Sequence, residues 1–289
     1  LFGLKPTRGR VSFGPDAGEG WGGMSIGHVN SRSVRDSALM LDLTGGLEPG
    51  DPYTAPPPEN SFLSELGRPP GKLRIAVMSK THRGTDFHPD NLKALQDAAK
   101  LCEELGHDVE EAQPEIDLVA LRKVTSKIAQ VNIARALSAR WRVLGEDPNP
   151  DRVERTIWAA YETGRRIGAI EYIDAISAIH AAGRAFAGFM SGYDILLGAT
   201  VTAPPPKLGY LDADGDPEVF VARAAEYVSV TPVANAAGTP AMSVPLAWNA
   251  AGLPIGVHFA ARFGEEATLI RLAAQLEAAR PWFDRTPGL

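Results

Sequence analysis

The stretch that decides the fold lies near the end of the chain. It reads Gly238-Thr239-Pro240-Ala241-Met242-Ser243-Val244-Pro245-Leu246, then Asn249-Ala250-Ala251-Gly252, then Pro254-Ile255-Gly256-Val257-His258-Phe259-Ala260. Residues 241–246 and 254–260 are apolar runs of strand length, and the Asn/Gly turn between them predicts a β-hairpin. Upstream, residues 73–78 form another short apolar strand. A helical stripe follows, with Pro89 early and Leu92, Leu95, Ala98, Leu101, Cys102 and Leu105 on one face, closed by Gly106. Val109 lies in a further short strand. Strand, helix, strand predicts a parallel pair with a covering helix. A hairpin and a parallel unit together make the class α/β, a mixed β-sheet covered by helices.

The rest of the chain fits around that sheet. Residues 1–30 are rich in glycine and polar groups and read as loops, with one short strand near 11–13. Val34, Ala38, Met40, Leu41 and Leu43 follow helical spacing, with Asp36 in the first turn and Gly45-Gly46 as the stop. Residues 46–72 read as one long loop carrying the stiff Pro56-Pro57-Pro58. Residues 115–191 are mostly helical, three or four helices broken at Asp147-Pro148-Asn149-Pro150, with Asp151 a candidate cap for the next helix. Residues 193–200 read as a buried strand ended by Pro204-Pro205-Pro206. Residues 217–238 are helical in part, and 265–279 form a last amphipathic helix.

Composition excludes several classes. The 289 residues carry 29 basic and 35 acidic side chains, net −6, with 44% apolar residues. A net acidic chain is a poor binder of nucleic acid or of anionic membrane. No apolar run reaches the ~18–20 residues of a membrane span. A single cysteine, Cys102, precludes an internal disulfide and makes the reducing cytoplasm the expected compartment.

The search for chemistry is mostly negative. The chain has no G-x-x-x-x-G-K-[ST], H-E-x-x-H, C-x-x-C or S-x-x-K, and its six histidines do not pair at metal-ligand spacing. Gly23-Met24-Ser25-Ile26-Gly27 fits G-x-S-x-G, and His28 follows it. A nucleophile elbow needs a strand leading in and a helix leading out. Polar, glycine-rich sequence flanks Ser25 on both sides, so the match reads as chance. Cys102 sits on the apolar stripe of its helix, where a thiol is a small buried hydrophobe. Arg35-Asp36 and Asp16/Glu19 read as helix-end charge and loop solvation.

Five blocks in order resemble the amidase signature family of serine hydrolases. They are Gly3-Leu4-Lys5-Pro6-Thr7 with Gly9-Arg10-Val11-Ser12; residues 31–38; Tyr193-Asp194-Ile195-Leu196-Leu197 with the triple proline; Thr231-Pro232 to Asn235 with Gly238-Thr239-Pro240-Ala241-Met242-Ser243-Val244-Pro245; and residues 252–257 with the last helix to Pro281-Trp282. Within the family, the Gly20-Trp21-Gly22-Gly23, Asp51-Pro52-Tyr53 and 193–206 segments are similar to amidases of the 6-aminohexanoate cyclic-dimer hydrolase kind. The resemblance implies an α/β/α sandwich. It also implies hydrolysis of carboxylic amides: a serine attacks the carbonyl, and a second serine relays its proton to a neutral lysine. Such a lysine must be desolvated or placed near other cations. Neither metal nor organic cofactor is implied.

By the same resemblance, the lysine, both serines and the glycine-rich loop belong upstream of Leu1, so no catalytic residue is assigned here. Lys5 falls in the Gly-Leu-Lys-Pro block, where a fold role is expected. Residues 1–289 then read as the C-terminal part of a single amidase domain with its N-terminal part missing. Candidate substrate-binding residues are Ser229, Thr231 and Asn235, just before the Gly-Thr-Pro-Ala block, and Trp21 and Thr200 at the entrance; ordinary packing could equally place each of them. Asn235 can also hydrogen-bond loop groups near a pocket, and Gly256 would let another backbone approach closely. The expected partners are a small-molecule amide and the missing N-terminal segment, with a homodimer open. The alternatives are a non-catalytic ligand-binding chain and one half of a split enzyme.

Overall fold

The turn expected at residues 249–252 closes through Asn249. Its side-chain oxygen accepts hydrogen bonds from the backbone N–H groups of Ala251 and Leu253, at 3.1 and 2.9 Å. Gly252 takes φ +74°, which glycine adopts without a steric cost. The computed structural model describes residues 1–81, 86–228 and 230–287. Its strands are β1 (Phe2–Lys5), β2 (Asn30–Ser31), β3 (Arg74–Val77), β4 (Asp108–Glu111), β5 (Ile195–Ala199), β6 (Ala241–Trp248) and β7 (Pro254–Ala261). They form a sheet in the order β2-β1-β6-β7-β5-β3-β4. β3 runs parallel to β4 and β5, and the other pairs are antiparallel, so the sheet is mixed as expected.

The helices are α1 (Val34–Thr44), α2 (Phe62–Glu65), α3 (Pro89–Glu104), α4 (Leu118–Leu144), α5 (Arg155–Gly164), α6 (Ala169–Met190), α7 (Pro217–Tyr227), α8 (Thr231–Ala237) and α9 (Glu266–Ala279). α1 starts where Ser33 accepts from the Asp36 N–H, and α3 has Pro89 in its first turn.

Strand alternation sorts the core into two layers. Phe2, Leu4, Met242, Val244, Val257, Phe259, Ile195 and Ile75 share one cluster with residues of α1, α3 and α9. Ala76, Leu196, Ala241 and Ala260 share the opposite one with residues of α4, α6 and α8. Burying one such large apolar side chain contributes about 1.5–3 kcal/mol. Cys102 lies in the first cluster, and burial pushes its thiol up to about 12, so packing is its role. A smaller aromatic group, Trp141, Trp158 and Tyr161, joins α4 to α5. There Gly164 lets the helices cross, since a methyl group at that position would run into the Gln130 carbonyl.

Four local expectations need correction. The apolar run at the start of the chain is β1, paired with β6 and β2. The strand expected near 11–13 is a single bridge, Val11 to Gly45. The neighbouring side chains are engaged instead: Arg10 reaches Glu266 and Ser12 reaches Asp51. The 46–72 loop contains α2, capped by Ser61 and by the Asp42 carboxylate, which accepts from the Phe62 and Leu63 N–H groups. Asp151 does not cap α5. It lies inside a 3-10 turn (Pro150–Arg152) capped by Asn149, and Glu154 holds the cap position of α5. Among the described residues no helix is long and apolar enough to cross a membrane.

Candidate active-site face

The face of the sheet covered by α8 carries a polar strip. On that face, alternation places Gly3 and Lys5 of β1, Ala241 and Ser243 of β6, Gly256 and His258 of β7, and Gly198 of β5. The register puts Gly3 and His258 on either side of Ser243. Beyond the end of β5, the Thr200 hydroxyl meets the Ser243 hydroxyl at 2.8 Å, spanning the width of β7. Gly256 makes this contact possible. A Cβ there would stand 2.7 Å from Ser243 Oγ and 3.0 Å from Thr200 Oγ1. Gly256 therefore admits two side chains rather than a second backbone.

Charge on this strip is perturbed. His258 is 5% exposed and its Nδ1 has no hydrogen bond among the described residues. Burial first, then the nearby Lys5, pulls its pKa down to about 4, so the ring is neutral at pH 7. Burial also pulls the Lys5 amine down to about 7; Arg8 acts in the same direction and Glu266 against it. Its ammonium donates to the Pro6 carbonyl at 2.9 Å. Desolvation and a neighbouring cation are the two devices that keep a lysine partly neutral.

Arg8 ties the strip to the 20–25 loop. Its Nε donates to the Gly23 carbonyl at 2.5 Å, and its Nη2 donates to the Asn235 and Ala236 carbonyls at 2.8 and 3.0 Å. Its backbone N–H donates to the Gly238 carbonyl at 2.9 Å. Hydrogen bonds from a charged group contribute about 1.5–3 kcal/mol each. Gly238 has φ +74°, and a Cβ there would lie 3.1 Å from the Arg8 side chain, so the turn after α8 accommodates this arginine. Asn235 completes the clamp by donating its side-chain amide to the Met24 carbonyl at 2.8 Å.

The clamped loop is strained. Trp21, Gly22 and Gly23 have φ of 55°, 61° and 80° in succession. For tryptophan that region costs roughly 1–2 kcal/mol. Gly22 seats against α6 and α4, where a Cβ would be 2.5 Å from Ile176 Cδ1, 3.4 Å from the Tyr172 hydroxyl and 3.5 Å from Ile128. Trp21 itself is 45% exposed.

The candidate residues fall into two groups. Trp21 and Asn235 meet through the 20–25 loop. Thr200 and Thr231 lie nearer the other end of α8, where Val201 bridges Val228 and Gly198 faces Val230. Thr231 is the first residue of α8 and is half-buried. Ser229 lies outside the described residues. Ser25 sits in a bridge with Gly20, with neither a strand leading in nor a helix leading out. His28 Nε2 is 3.0 Å from Ser37 Oγ, away from any pairing with Ser25. Among the described residues no group of three or more His, Cys, Asp or Glu could hold a metal. Sequence reasoning missed Arg8, Ser243 and His258. The one local signal for Ser243 and His258 is a polar residue at alternate positions of two otherwise apolar strands, and Arg8, in a polar turn, has none.

A family model described as Amidase matches residues 1–270. A 6-aminohexanoate-cyclic-dimer hydrolase of Paenarthrobacter ureafaciens is 35% identical over the whole chain, which covers 61% of that protein. A hydrolase of the same name from Pseudomonas sp. (strain NK87) is 34% identical with the same coverage. A solved 6-aminohexanoate cyclic dimer hydrolase complexed with substrate superposes with a TM-score of 0.90 at 30% identity, over 99% of this chain and 62% of that one. A bacterial aryl acylamidase of the amidase signature enzymes shares the fold, with a TM-score of 0.79 at 18% identity, over 100% of this chain and 60% of that one. The chain thus spans about three fifths of the length of these relatives.

Proposed function

The chain belongs to the amidase family, and from that premise we propose that the protein it represents hydrolyses carboxylic amide C–N bonds through an acyl-enzyme. The observation that carries the reading is the polar strip of Lys5, Ser243, Thr200 and His258, set into an apolar sheet face beneath α8, in a chain whose family-model match runs over residues 1–270. The serine nucleophile, the relaying serine and the lysine base of the Ser–Ser–Lys arrangement lie outside these 289 residues. This chain supplies the surface on which the amide is held.

In that role Trp21, Thr200, Ser229, Thr231 and Asn235 border the substrate. Asn235 acts through the loop, since its amide is engaged on the Met24 carbonyl. The partly neutral Lys5 and the clamped Arg8 place positive charge at one end of the strip. A cation there disfavours protonation of any base set beside it and favours an oxyanion as it forms. The first substrate to try is the 6-aminohexanoate cyclic dimer, for which the two similar hydrolases described above are named. The cytoplasm is the proposed compartment.

The test uses the complete protein. It is expected to release acid and amine from simple amides and to lose that activity when a fluorophosphonate labels one serine. No turnover of any amide or ester, together with no labelled serine, would overturn the reading. It would leave the chain as a non-catalytic binding domain.

A further inference from the structure

We propose that Trp21 determines specificity in this site, its indole forming the wall against which an amide with an apolar, methylene-rich chain is laid. The inference rests on the amidase reading and adds to it the group that selects the substrate. Trp21 is the one non-glycine residue with positive φ among the described residues. A tryptophan kept for stability alone would lie in ordinary backbone and bury its ring. This one does neither, with a φ of 55° and 45% of the residue exposed. Strain of this kind persists only where the surroundings over-determine it, and it clusters at sites of function.

The surroundings here do over-determine it. Gly22 is wedged against Ile176, the Gly23 carbonyl is held by Arg8, and the Met24 carbonyl is held by Asn235. Helices α4, α6 and α8 thus all hold the backbone that follows Trp21. An apolar chain would gain contact with a flat, rigid surface. Such a surface favours amides that carry an aliphatic chain.

The experiment compares wild type with Trp21→Asn, Trp21→Gly and Trp21→Phe in the complete protein, with acetamide and hexanamide as substrates and a thermal melt of each variant. Asn and Gly tolerate positive φ, so they remove the ring and relieve the strain together. The expected result is a melting temperature held or raised in the Asn and Gly variants. Their ratio of kcat/KM for hexanamide over acetamide should fall by about tenfold or more, the scale that apolar pocket contacts command. The Phe variant should keep most of that ratio. A lowered melting temperature with an unchanged ratio would assign Trp21 to packing and overturn the proposal, as would an unchanged ratio at any stability. Failure of the wild type to hydrolyse either amide would instead remove the amidase reading on which it stands.

Discussion

Replacing Arg8 by methionine is expected to lower kcat/KM of the complete protein on the order of 100-fold and to destabilise it by about 2–4 kcal/mol. Methionine keeps much of the apolar stem and loses the guanidinium. Three carbonyls, on Gly23, Asn235 and Ala236, then lose their donor at once. Leaving a buried acceptor unsatisfied costs about 1–3 kcal/mol. The 20–25 loop and the end of α8 would separate, and small misplacements at a site cost rate steeply, of the order of 100-fold. Arg8→Lys is expected to recover only part of the loss, because a point charge cannot reproduce the planar fork. Activity assays and denaturant melts of both variants measure this. Wild-type activity in Arg8→Met would show that the clamp does not position the site.

The second large effect falls on Glu266, which is fully buried and paired with Arg10, itself 5% exposed. Glu266 Oε1 accepts from Arg10 Nε and from the Thr7 N–H, both at 2.9 Å, and Oε2 accepts from Arg10 Nη2 at 3.1 Å. Arg10 also reaches the Pro56 carbonyl, so the pair joins the start of the chain, the 46–72 loop and α9. Breaking one side of a buried pair typically costs about 3–5 kcal/mol, since the remaining charge is stranded. Glu266→Ala is expected to lose that much at pH 7. Burial acts to raise the Glu266 pKa, but the hydrogen bond and charge of Arg10 outweigh it, and the net shift is below the ordinary 4.5. A depressed folded pKa means the stabilisation is complete above the unfolded value and is lost as pH falls through the folded one. The gap between wild type and Glu266→Ala should therefore be widest above pH 5 and shrink progressively as pH falls below the ordinary value of 4.5. Melts across that range would show it, and a gap that grew with acidification would contradict the assignment.

Local pattern made much of this molecule legible. The hairpin was readable because Asn249 and Gly252 mark a turn between two apolar runs, and α3 because Pro89 and Gly106 bracket a clean stripe. β1 was not readable, because Phe2-Gly3-Leu4-Lys5 becomes a strand only by pairing with residues some 240 positions away. Arg8 was hidden for the same reason. In sequence it is a cation in a polar turn, and its partners lie 15, 227 and 228 residues along the chain. Asn235 was legible in kind, as an anchor for loop groups, though nothing local names Met24 as its partner. Gly256 was recognised as a place of close approach, but which atoms approach depends on the register that sets Thr200 beside Ser243 across β7.

Photo-cross-linking of a fluorophosphonate with a diazirine on its aliphatic chain tests most directly whether this chain supplies the surface that holds the amide. In the complete protein the phosphonate fixes one end of the probe to the reactive serine, and the diazirine reports what the chain lies against. The expected result is a labelled serine outside these 289 residues and cross-links in peptides containing residues 20–25 and 199–202. Cross-links confined to other surfaces, such as the groove of about 330 Å³ between Trp248 and Trp282, would contradict it.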